Sequence, residues 1–248
     1  MIKIENVETI GWKHAIRGMR NPKNSWDKSD TVYGTYWGDI DGHKCFDNDG
    51  FTLGNNDFDL MKRLRNAGTD HRKFMRMITV YLDITAPLYW WKEFDTYKVG
   101  TVANSCSTMH KIHDKEFTLD DFSCEKLLSI DDSGAGFDYE CIVRDPENKN
   151  ELIKGECVAA PLESLKMTIG VLNTFRFRFN KTKNKIYWEQ MIQLIPSSYN
   201  QKRTVMLNYE VLANMYKSRK NHKLDEWRTL CEWIETLPYA ELITGDTE

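Results

Sequence analysis

The sequence has no apolar run long enough to cross a membrane as a helix. Its most apolar stretch, MITVYLDITAPLYWW, is interrupted by Asp83 and Pro87, whereas a spanning helix needs about 20 consecutive, mostly apolar residues. The first residues, MIKIENVETIGWKH, contain no apolar segment of the kind that a secretory signal requires. We therefore expect neither a signal peptide nor a membrane span.

The cysteines lack the paired spacing of a metal site or a disulfide scaffold. None of the six belongs to a C-x-x-C pair, which indicates neither a zinc site nor a disulfide framework. We therefore expect free thiols, no metal and a reduced, cytoplasmic compartment. The six are Cys45, Cys106, Cys124, Cys141, Cys157 and Cys231.

Ion-binding and phosphate-binding loops are also missing. The D-x-D-G at 39–42 and the D-N-D-G at 47–50 resemble calcium loops, but neither is followed by the glutamate that ends an EF-hand loop. The Gly-Ala-Gly at 134–136 follows no evident strand and matches no phosphate-binding fingerprint. Turn or loop chemistry is the better interpretation of all three.

An excess of positive charge is absent as well. The formal net charge is −3, whereas proteins dedicated to duplex nucleic acid usually carry a basic excess, so we expect no duplex partner. Local basic pockets are compatible with this charge. With 41% hydrophobic residues, the chain is globular with an ample core. The many aromatic residues suit either that core or flat ligands, and the core is the favoured interpretation.

The most informative stretch runs over 86–111 and reads APLYWWKEFDTYKVGTVANSCSTMHK. Four aromatic residues lie among its first nine, which predicts a buried start. Its second half contains hydroxyls, an amide, an ammonium and an imidazole, with Gly100 able to adopt positive φ. This pattern is typical of a loop that presents a polar ligand site. A buried helix with a capped end is the alternative, and composition alone favours it.

Hydrophobic periodicity predicts the elements around this stretch. We expect a strand over 2–10 with a short helix after it, hairpins or an irregular excursion over 31–51, and a helix from Asn56 to Gly68. Further on, we expect helical spacing over 70–84, a helix start at 118–122 and a hairpin over 139–158.

The alternating segment TFRFRFNKTKNKIYWE, over 174–189, predicts a half-buried strand followed by a loop. Its phenylalanines would face inward. Arg176 and Arg178 would then lie either on a solvated face, which is favoured, or at a phosphate site.

The C-terminal segment 203–238 predicts two helices, or one helix broken near Asn221. In the first, offsets of seven and eleven residues place Asn208, Met215 and Arg219 on nearly one face. An amide and a guanidinium on a core-facing stripe need partners, which an anionic or heterocyclic ligand would supply. The second has an apolar stripe formed by Leu224, Trp227, Leu230, Ile234 and Leu237.

Over 68–112 and 190–240 the sequence resembles the flavin-dependent thymidylate synthases, the ThyX family. That family carries an Arg-His-Arg signature two residues before a serine, followed by an N-E-x-S-x-R element. Aligned without a gap from Ala86, Thr96-Tyr97-Lys98 takes the place of the signature and Thr101 that of its serine. After one inserted residue, the second element is taken by Asn104, Ser105, Ser107 and Met109.

The C-terminal helix resembles the family more closely. The family's Asn, its polar residue six positions on and its Arg eleven positions on are met by Asn208, Asn214 and Arg219. Glu210 departs, because it stands where the family usually has an arginine. The family's later E-x-R is met by Glu226 and Arg228, and its histidine ahead of the signature is met approximately by His71.

The resemblance implies a single α+β domain over 1–248, with a central antiparallel sheet and long helices, assembled as a homotetramer. It also implies reductive methylation of dUMP or a related pyrimidine nucleotide, using FAD, methylenetetrahydrofolate and NADPH. The implied nucleotide contacts are Lys98, Thr101, Ser105, Ser107 and Arg219, and the implied flavin contacts are His71, Tyr97, Asn104, Asn208 and Asn214.

The departures leave two functions open. Lys98 keeps one of three cationic signature positions, so phosphate binding needs other cations, such as Arg176, Arg178, Lys202 or Arg203, or the ligand has changed. The enzyme is the leading hypothesis. A protein that holds a nucleotide without turnover is the alternative. The family's chemistry belongs to its cofactors, so no catalytic residue is assigned, and Cys106 is not expected to act as a nucleophile.

Overall fold

The computed structural model describes residues 2–40, 43–145, 147–148 and 150–245, and the side chains of 35–49 are not described. The calcium-like turn at 39–42 therefore lies in part outside the described residues, as do the side chains of Asp47 and Asp49. Two compact units divide the chain. The sheet unit comprises Ile2–Ile84, Glu93–Asn104 and the chain from 203 onward, and the hairpin unit comprises Thr85–Lys92 and Ser105–Lys202.

Eight strands and eight α-helices are present in the described residues. The strands are β1 (Lys3–Ile10), β2 (Val32–Ile40), β3 (His43–Thr52), β4 (Thr79–Pro87), β5 (Val102–Ser105), β6 (Phe137–Arg144), β7 (Leu152–Ala159) and β8 (Asn200–Asn208). The helices are α1 (Trp12–Arg20), α2 (Asn55–Asn66), α3 (Leu88–Phe94), α4 (Pro161–Thr182), α5 (Lys185–Leu194), α6 (Tyr209–Arg219), α7 (Asp225–Ile234) and α8 (Glu241–Thr244).

The main sheet has the strand order β1-β4-β8-β5. In β4, the buried residues Val80, Leu82 and Ile84 alternate with less buried neighbours, which is the period of a strand. The predicted helical spacing over 70–84 is therefore wrong: a short 3₁₀ helix over Arg72–Met77 leads into this strand. The apolar residues that suggested a helix straddle the junction between the two elements.

The first part of the sheet unit follows the sequence predictions. Strand β1, helix α1 and helix α2 are present, and β2 pairs with β3 as an antiparallel hairpin. Helix α2 begins at Asn55, one residue earlier than expected, and Gly54 is its N-cap. These elements were readable because each carries a local signal of apolar spacing bounded by glycine or polar turns.

The predicted buried start of the informative stretch is confirmed. It forms α3, and Trp90 and Trp91 are fully buried. The indole Nε1 of Trp91 donates to the Gln201 carbonyl oxygen at 3.0 Å. The bulky start of this stretch is thus core material, as its composition indicates.

The hairpin unit contains the antiparallel pair β6 and β7, which confirms the predicted hairpin over 139–158. In this pair Cys141 lies opposite Gly155, and Tyr139 lies opposite Cys157. The two cysteines are therefore diagonal neighbours, and a disulfide joins them. The expectation of free thiols is wrong for this pair, because strand pairing rather than sequence spacing brings the sulfur atoms together.

The predicted strand over 174–179 is also wrong, since these residues belong to α4. Pro161 lies in the first turn of this 22-residue helix, where a missing N–H costs nothing. Over its whole length the buried positions follow helical spacing at Leu165, Ile169 and Leu172, so the local alternation of phenylalanine and arginine was misleading. These residues pack with Ile112, Phe117, Phe122 and Met191 to form the core of the unit.

The C-terminal segment begins with the end of strand β8 rather than with a helix, because residues up to Asn208 pair in the sheet. Two separate helices follow, α6 and α7, as one of the two alternatives predicted. The apolar stripe of α7 is confirmed by the burial of Trp227, Leu230 and Ile234. The α+β class is likewise confirmed. The assignment of residues 1–248 to a single domain stays a prediction. Among the described residues, no helix is long and apolar enough to span a membrane.

Candidate functional site

Two predicted flavin contacts line one cavity of ≈ 430 Å³ in the sheet unit. We call it the Asn208 cavity. Val99 and Gly100 form part of its wall. Its polar lining comprises Thr69, Arg72, Arg76, Asn208, Glu210 and Asn214. The volume lies within the range of small-molecule sites.

Asn208 is placed by the junction of strand β8 and helix α6. Its Oδ1 caps the helix by accepting from the Val211 backbone N–H at 3.0 Å, a common role for asparagine. Its Nδ2 approaches Gly100, where an added Cβ would lie 2.9 Å away. Gly100 also has φ +80°, so both the backbone conformation and the space favour glycine. The amide N–H groups of Asn208 have no acceptor among the described residues.

Glu210 binds two arginines from the 3₁₀ segment that precedes β4. Arg72 Nε lies 3.2 Å from Oε1, and Arg76 donates to both carboxylate oxygens. Burial alone would raise the pKa of Glu210, but these hydrogen bonds and charges lower it below the ordinary value. One carboxylate with two guanidinium groups leaves one positive charge in this set, and the nearby Asp70 carboxylate also acts on Arg76.

Asn214 lies one helical turn after Glu210 on α6. Its Oδ1 accepts from Arg72 Nη2 at 3.3 Å, so one arginine links the carboxylate and the amide. The amide N–H groups of Asn214 have no acceptor among the described residues. The Asn208 cavity therefore contains two asparagine amides that still have donors to offer.

Thr101 follows Gly100 and contributes a buried hydroxyl. Among the described residues its Oγ1 has no hydrogen-bond partner. A buried hydroxyl without a hydrogen-bond partner lowers the stability of the fold, so such groups usually have a partner. A ligand that reaches the loop containing Gly100 would supply a hydrogen-bond partner for Thr101.

Arg219 has a different environment, surrounded by side chains of its own unit. Its Nε donates to Tyr97 Oη at 3.0 Å, and its Nη1 lies 3.0 Å from Glu93 Oε2. The guanidinium carbon lies 4.7 Å from the ring centroid of Trp227, and Trp227 Nε1 donates to the same Glu93 oxygen at 2.7 Å. We call this set the Glu93 cluster. Its carboxylate, Glu93, is the ion-pair partner of Arg219, although Glu226 is nearer in the sequence.

The remaining predicted contacts are exposed. Lys98 lies in the loop after α3 and has no carboxylate partner among the described residues. Asn104 is an exposed residue of β5. In the hairpin unit, Ser105 is exposed, and Ser107 Oγ accepts from the backbone N–H groups of Met109 and His110 at 3.2 and 3.0 Å. Ser107 thus shapes its own turn.

His71 does not join the Asn208 cavity in the described residues. It is exposed at the start of the 3₁₀ segment and lines a larger cleft of ≈ 1430 Å³ with residues of α1 and α2, including Arg20 and Lys62. The structure therefore brings Asn208 and Asn214 together, brings Tyr97 to Arg219, and places His71 in a separate cleft.

The substitute cations considered from sequence are engaged elsewhere. Arg203 pairs with Asp95 at 2.7 Å. The backbone carbonyl of Lys202 accepts from the Cys106 N–H at 2.9 Å. Arg176 and Arg178 lie on α4, where Arg178 is 5.8 Å from the Phe175 ring centroid. These positions correct the expectation that the two α4 arginines lie on a strand.

Sequence reasoning missed Arg72, Arg76 and Glu93. A signal for the first two was present, because an acidic residue at the family's arginine position, Glu210, requires a cationic partner once buried. The partners could not be named, since Arg72 lies 138 positions away along the chain. Glu93 gave no signal, because it directly follows Lys92 in what reads as an ordinary amphipathic turn.

Comparisons with known proteins show the fold. No protein-family model and no curated protein gives a significant match to the sequence. Among solved structures, ThyX of Helicobacter pylori complexed with FAD and dUMP has a TM-score of 0.62 and 14% identity, covering 99% of this chain and 100% of that one. The UMP/dUMP methylase PolB of Streptomyces cacaoi, bound with 5-Br dUMP, has a TM-score of 0.57 and 14% identity, covering 95% of this chain and 89% of that one. The chain thus has the fold of the flavin-dependent thymidylate synthase ThyX, as its sequence resemblance predicted.

Proposed function

We propose that the protein is a divergent flavin-dependent nucleotide methylase that binds dUMP or a related pyrimidine nucleotide. The observation that carries this proposal is the Asn208 cavity. Two residues that match the family's helix pattern, Asn208 and Asn214, meet there with the loop at Gly100, which belongs to the stretch that resembles the signature. Two segments that are far apart in the sequence, and that both carry the resemblance, therefore meet at one cavity.

The donors at this cavity fit FAD in chemical type. Asn208 and Asn214 offer amide N–H groups to carbonyl or ring-nitrogen acceptors, and the surplus charge of Arg72 and Arg76 favours a phosphate. The buried Thr101 hydroxyl, without a partner in the described residues, lies next to this loop. FAD, when bound, would carry electrons from NADPH, and methylenetetrahydrofolate would supply the carbon.

The chain's own residues would bind and orient the nucleotide. Arg219 keeps one nitrogen, Nη2, without an acceptor among the described residues, and Glu93 and the Trp227 ring hold the guanidinium in place. Tyr97 fixes the Nε side of the same group. We assign Lys98, Thr101, Ser105 and Ser107 to the nucleotide and His71, Tyr97 and Asn104 to the flavin. A homotetramer in the cytoplasm completes the proposal.

Flavin binding is the first test of this proposal. We expect the purified protein to be yellow, or to bind added FAD in a calorimetric titration, and to bind dUMP in a second titration. Asn214→Ala should weaken FAD binding up to about tenfold, the scale of a neutral hydrogen bond. Asn221→Ala is the matched control, because Asn221 is an exposed amide that does not line the cavity.

A colourless protein that binds neither FAD nor dUMP would overturn the proposal. Equal FAD affinity in Asn214→Ala and Asn221→Ala would remove the Asn208 cavity from it. Light scattering that shows a monomer at micromolar concentration would remove the tetramer alone.

A second candidate is a protein that holds a pyrimidine nucleotide without turnover. The Glu93 cluster favours it, because Glu93 neutralises the cation best matched to the family. Thr96, at a signature position, donates its hydroxyl to the Glu93 backbone carbonyl at 2.7 Å instead of supplying charge. Binding of dUMP with no uptake of FAD would select this function over the methylase.

A further inference from the structure

A second cavity of ≈ 460 Å³ in the sheet unit has a strongly cationic lining. Arg65, Arg72, Lys217 and Lys220 contribute four positive charges, and no carboxylate lines it among the described residues. We call it the lysine cavity. In a chain whose formal net charge is −3, this concentration of one sign is unusual.

Two lysines of this cavity carry a charge that no carboxylate of the described residues neutralises. Many lysines have a carboxylate nearby, including Lys62 with Asp59 at 3.1 Å and Lys185 with Glu189 at 3.1 Å. Lys217 and Lys220 have no such partner in the part of the chain that the structure describes. Lys220 lies 5.9 Å from the ring centroid of Tyr216, a contact that leaves its charge unneutralised.

Arg65 is held in the wall by the end of α8. Its Nη2 lies 3.4 Å from the Ile243 carbonyl oxygen. Gly245 has φ +92°, and an added Cβ there would lie 2.5 Å from the same nitrogen. The positive φ favours glycine at this position, whereas the end of the Arg65 side chain can shift away from an added Cβ.

Helix ends account for only part of this charge. Arg65 lies in the last turn of α2, and Lys217 lies in the last turn of α6, where cations are favoured. Each helix C-terminus corresponds to about −0.5 of an elementary charge, so two ends offset about one of the four cations. Glu210 offsets part of Arg72. Most of the positive charge is left for a ligand.

We infer that the lysine cavity binds a polyphosphate chain. Guanidinium and ammonium groups together are the usual partners of phosphate oxygens. Arg72 and Asn214 line both cavities. The bound phosphates therefore belong either to a separate polyphosphate ligand or to the diphosphate of a dinucleotide in the Asn208 cavity. The inference does not rest on the proposed methylase, because it concerns lysines that the Asn208 cavity lacks.

Calorimetric titration with sodium tripolyphosphate tests this site directly. We expect binding that weakens as salt rises, because exposed charges are screened over about 10 Å at 0.1 M ionic strength. The double variant Lys217→Gln/Lys220→Gln should lose about tenfold or more in affinity, since two charged contacts disappear. Lys223→Gln should bind as the native chain does, because this exposed lysine does not line the cavity.

The outcomes test three things separately: whether the lysine cavity binds phosphates, which ligand carries them, and whether the proposed methylase function holds. Competition by FAD would assign the phosphate chain to a dinucleotide, whereas simultaneous binding would assign it to an independent ligand. The inference is overturned by an absence of tripolyphosphate binding at low salt, or by equal affinity in the double variant and in Lys223→Gln. Neither result changes dUMP binding, which tests the proposed function separately.

Discussion

Two carboxylates in the sheet unit bind arginines in different ways. Glu93 accepts from one guanidinium, that of Arg219, and from the Trp227 indole, so the charges of its cluster cancel. Glu210 binds both Arg72 and Arg76 and leaves one positive charge over. Both pairs involve the ends of helix α6, since Glu210 lies in its first turn and Arg219 in its last.

The difference separates a structural contact from a ligand-binding one. Around Glu93 the guanidinium lies against aromatic rings, with Trp227 fully buried, so its charge is neutralised and the cluster stabilises the fold. Around Glu210 the surplus charge and the Asn214 amide line a cavity, where an anion would be favoured. Resemblance to a family marks Arg219 as an anion contact, and the contacts at the Asn208 cavity add Arg72 as a second candidate.

Replacing Glu210 should have the largest effect on stability. Glu210→Gln leaves two guanidinium groups close together without a counterion, which we expect to lower the unfolding free energy by about 2–3 kcal/mol, less than a fully buried pair because Arg76 is half exposed. Urea denaturation measures this change. Glu232→Gln, the same change at an exposed position of α7, should stay within about 0.5 kcal/mol. Equal stability of the two variants would mean that Glu210 does not hold the arginines.

Replacing Arg219 should cost less stability and decides its role in binding. We expect Arg219→Ala to lower the unfolding free energy by about 2 kcal/mol, because Glu93 and the Trp227 ring lose a partner. Arg219→Lys should recover only part, since the planar group is lost. Calorimetric titration of the folded alanine variant with dUMP supplies the second measurement.

A loss of about 1.5–3 kcal/mol in dUMP affinity would show that Nη2 of Arg219 contacts the nucleotide phosphate. Unchanged affinity in the folded variant would make the Glu93 cluster purely structural. In that case Glu93 and Glu210 would differ completely in role, because cations other than Arg219 would make all of the contacts to the phosphate.

The sequence allowed prediction of elements with a local signal and failed where distant segments meet. Helix α2 and the hairpin of β6 and β7 carry their own spacing and turn residues. The strand β4 was misread because its alternation begins just after a 3₁₀ turn, and α4 because six residues of alternation hid a 22-residue helical pattern. The disulfide between Cys141 and Cys157 depends on strand register, which spacing alone does not give.

The site was predicted in part for the same reason. Asn208 and Asn214 were identified because both lie on one short helical segment with a recognisable spacing. The arginine partners of Glu210 lie 138 and 134 positions away along the chain, and Glu93 lies 126 positions from Arg219. Such pairings are tertiary and leave no local pattern.

Acid should weaken the native chain through Glu210. The hydrogen bonds from Arg76 and Arg72 lower its pKa below the ordinary 4.5, against the opposing effect of burial. A carboxyl with a lowered native pKa contributes stability that is present above its unfolded value and is lost as pH falls through the native value. Urea denaturation below pH 4.5 should therefore show a steeper loss in the native chain than in Glu210→Gln. If the unfolding free energies of the two proteins fall equally with pH, Glu210 does not contribute to the loss of stability in acid.

The smallest expected effect on stability distinguishes the two arginines that share Glu210. The side chain of Arg76 is 53% exposed and that of Arg72 is 20% exposed, so solvent screens the first pair more. Arg76→Gln should cost about 0.5 kcal/mol, within the range of surface pairs, whereas Arg72→Gln should cost about 1–1.5 kcal/mol because the Asn214 contact is lost with it. Ligand binding should show the same order, since Arg72 lines both cavities and Arg76 lines one. If Arg76→Gln weakens FAD binding more than Arg72→Gln does, the surplus charge at Glu210 belongs to Arg76, and the ligand enters the Asn208 cavity from its exposed side.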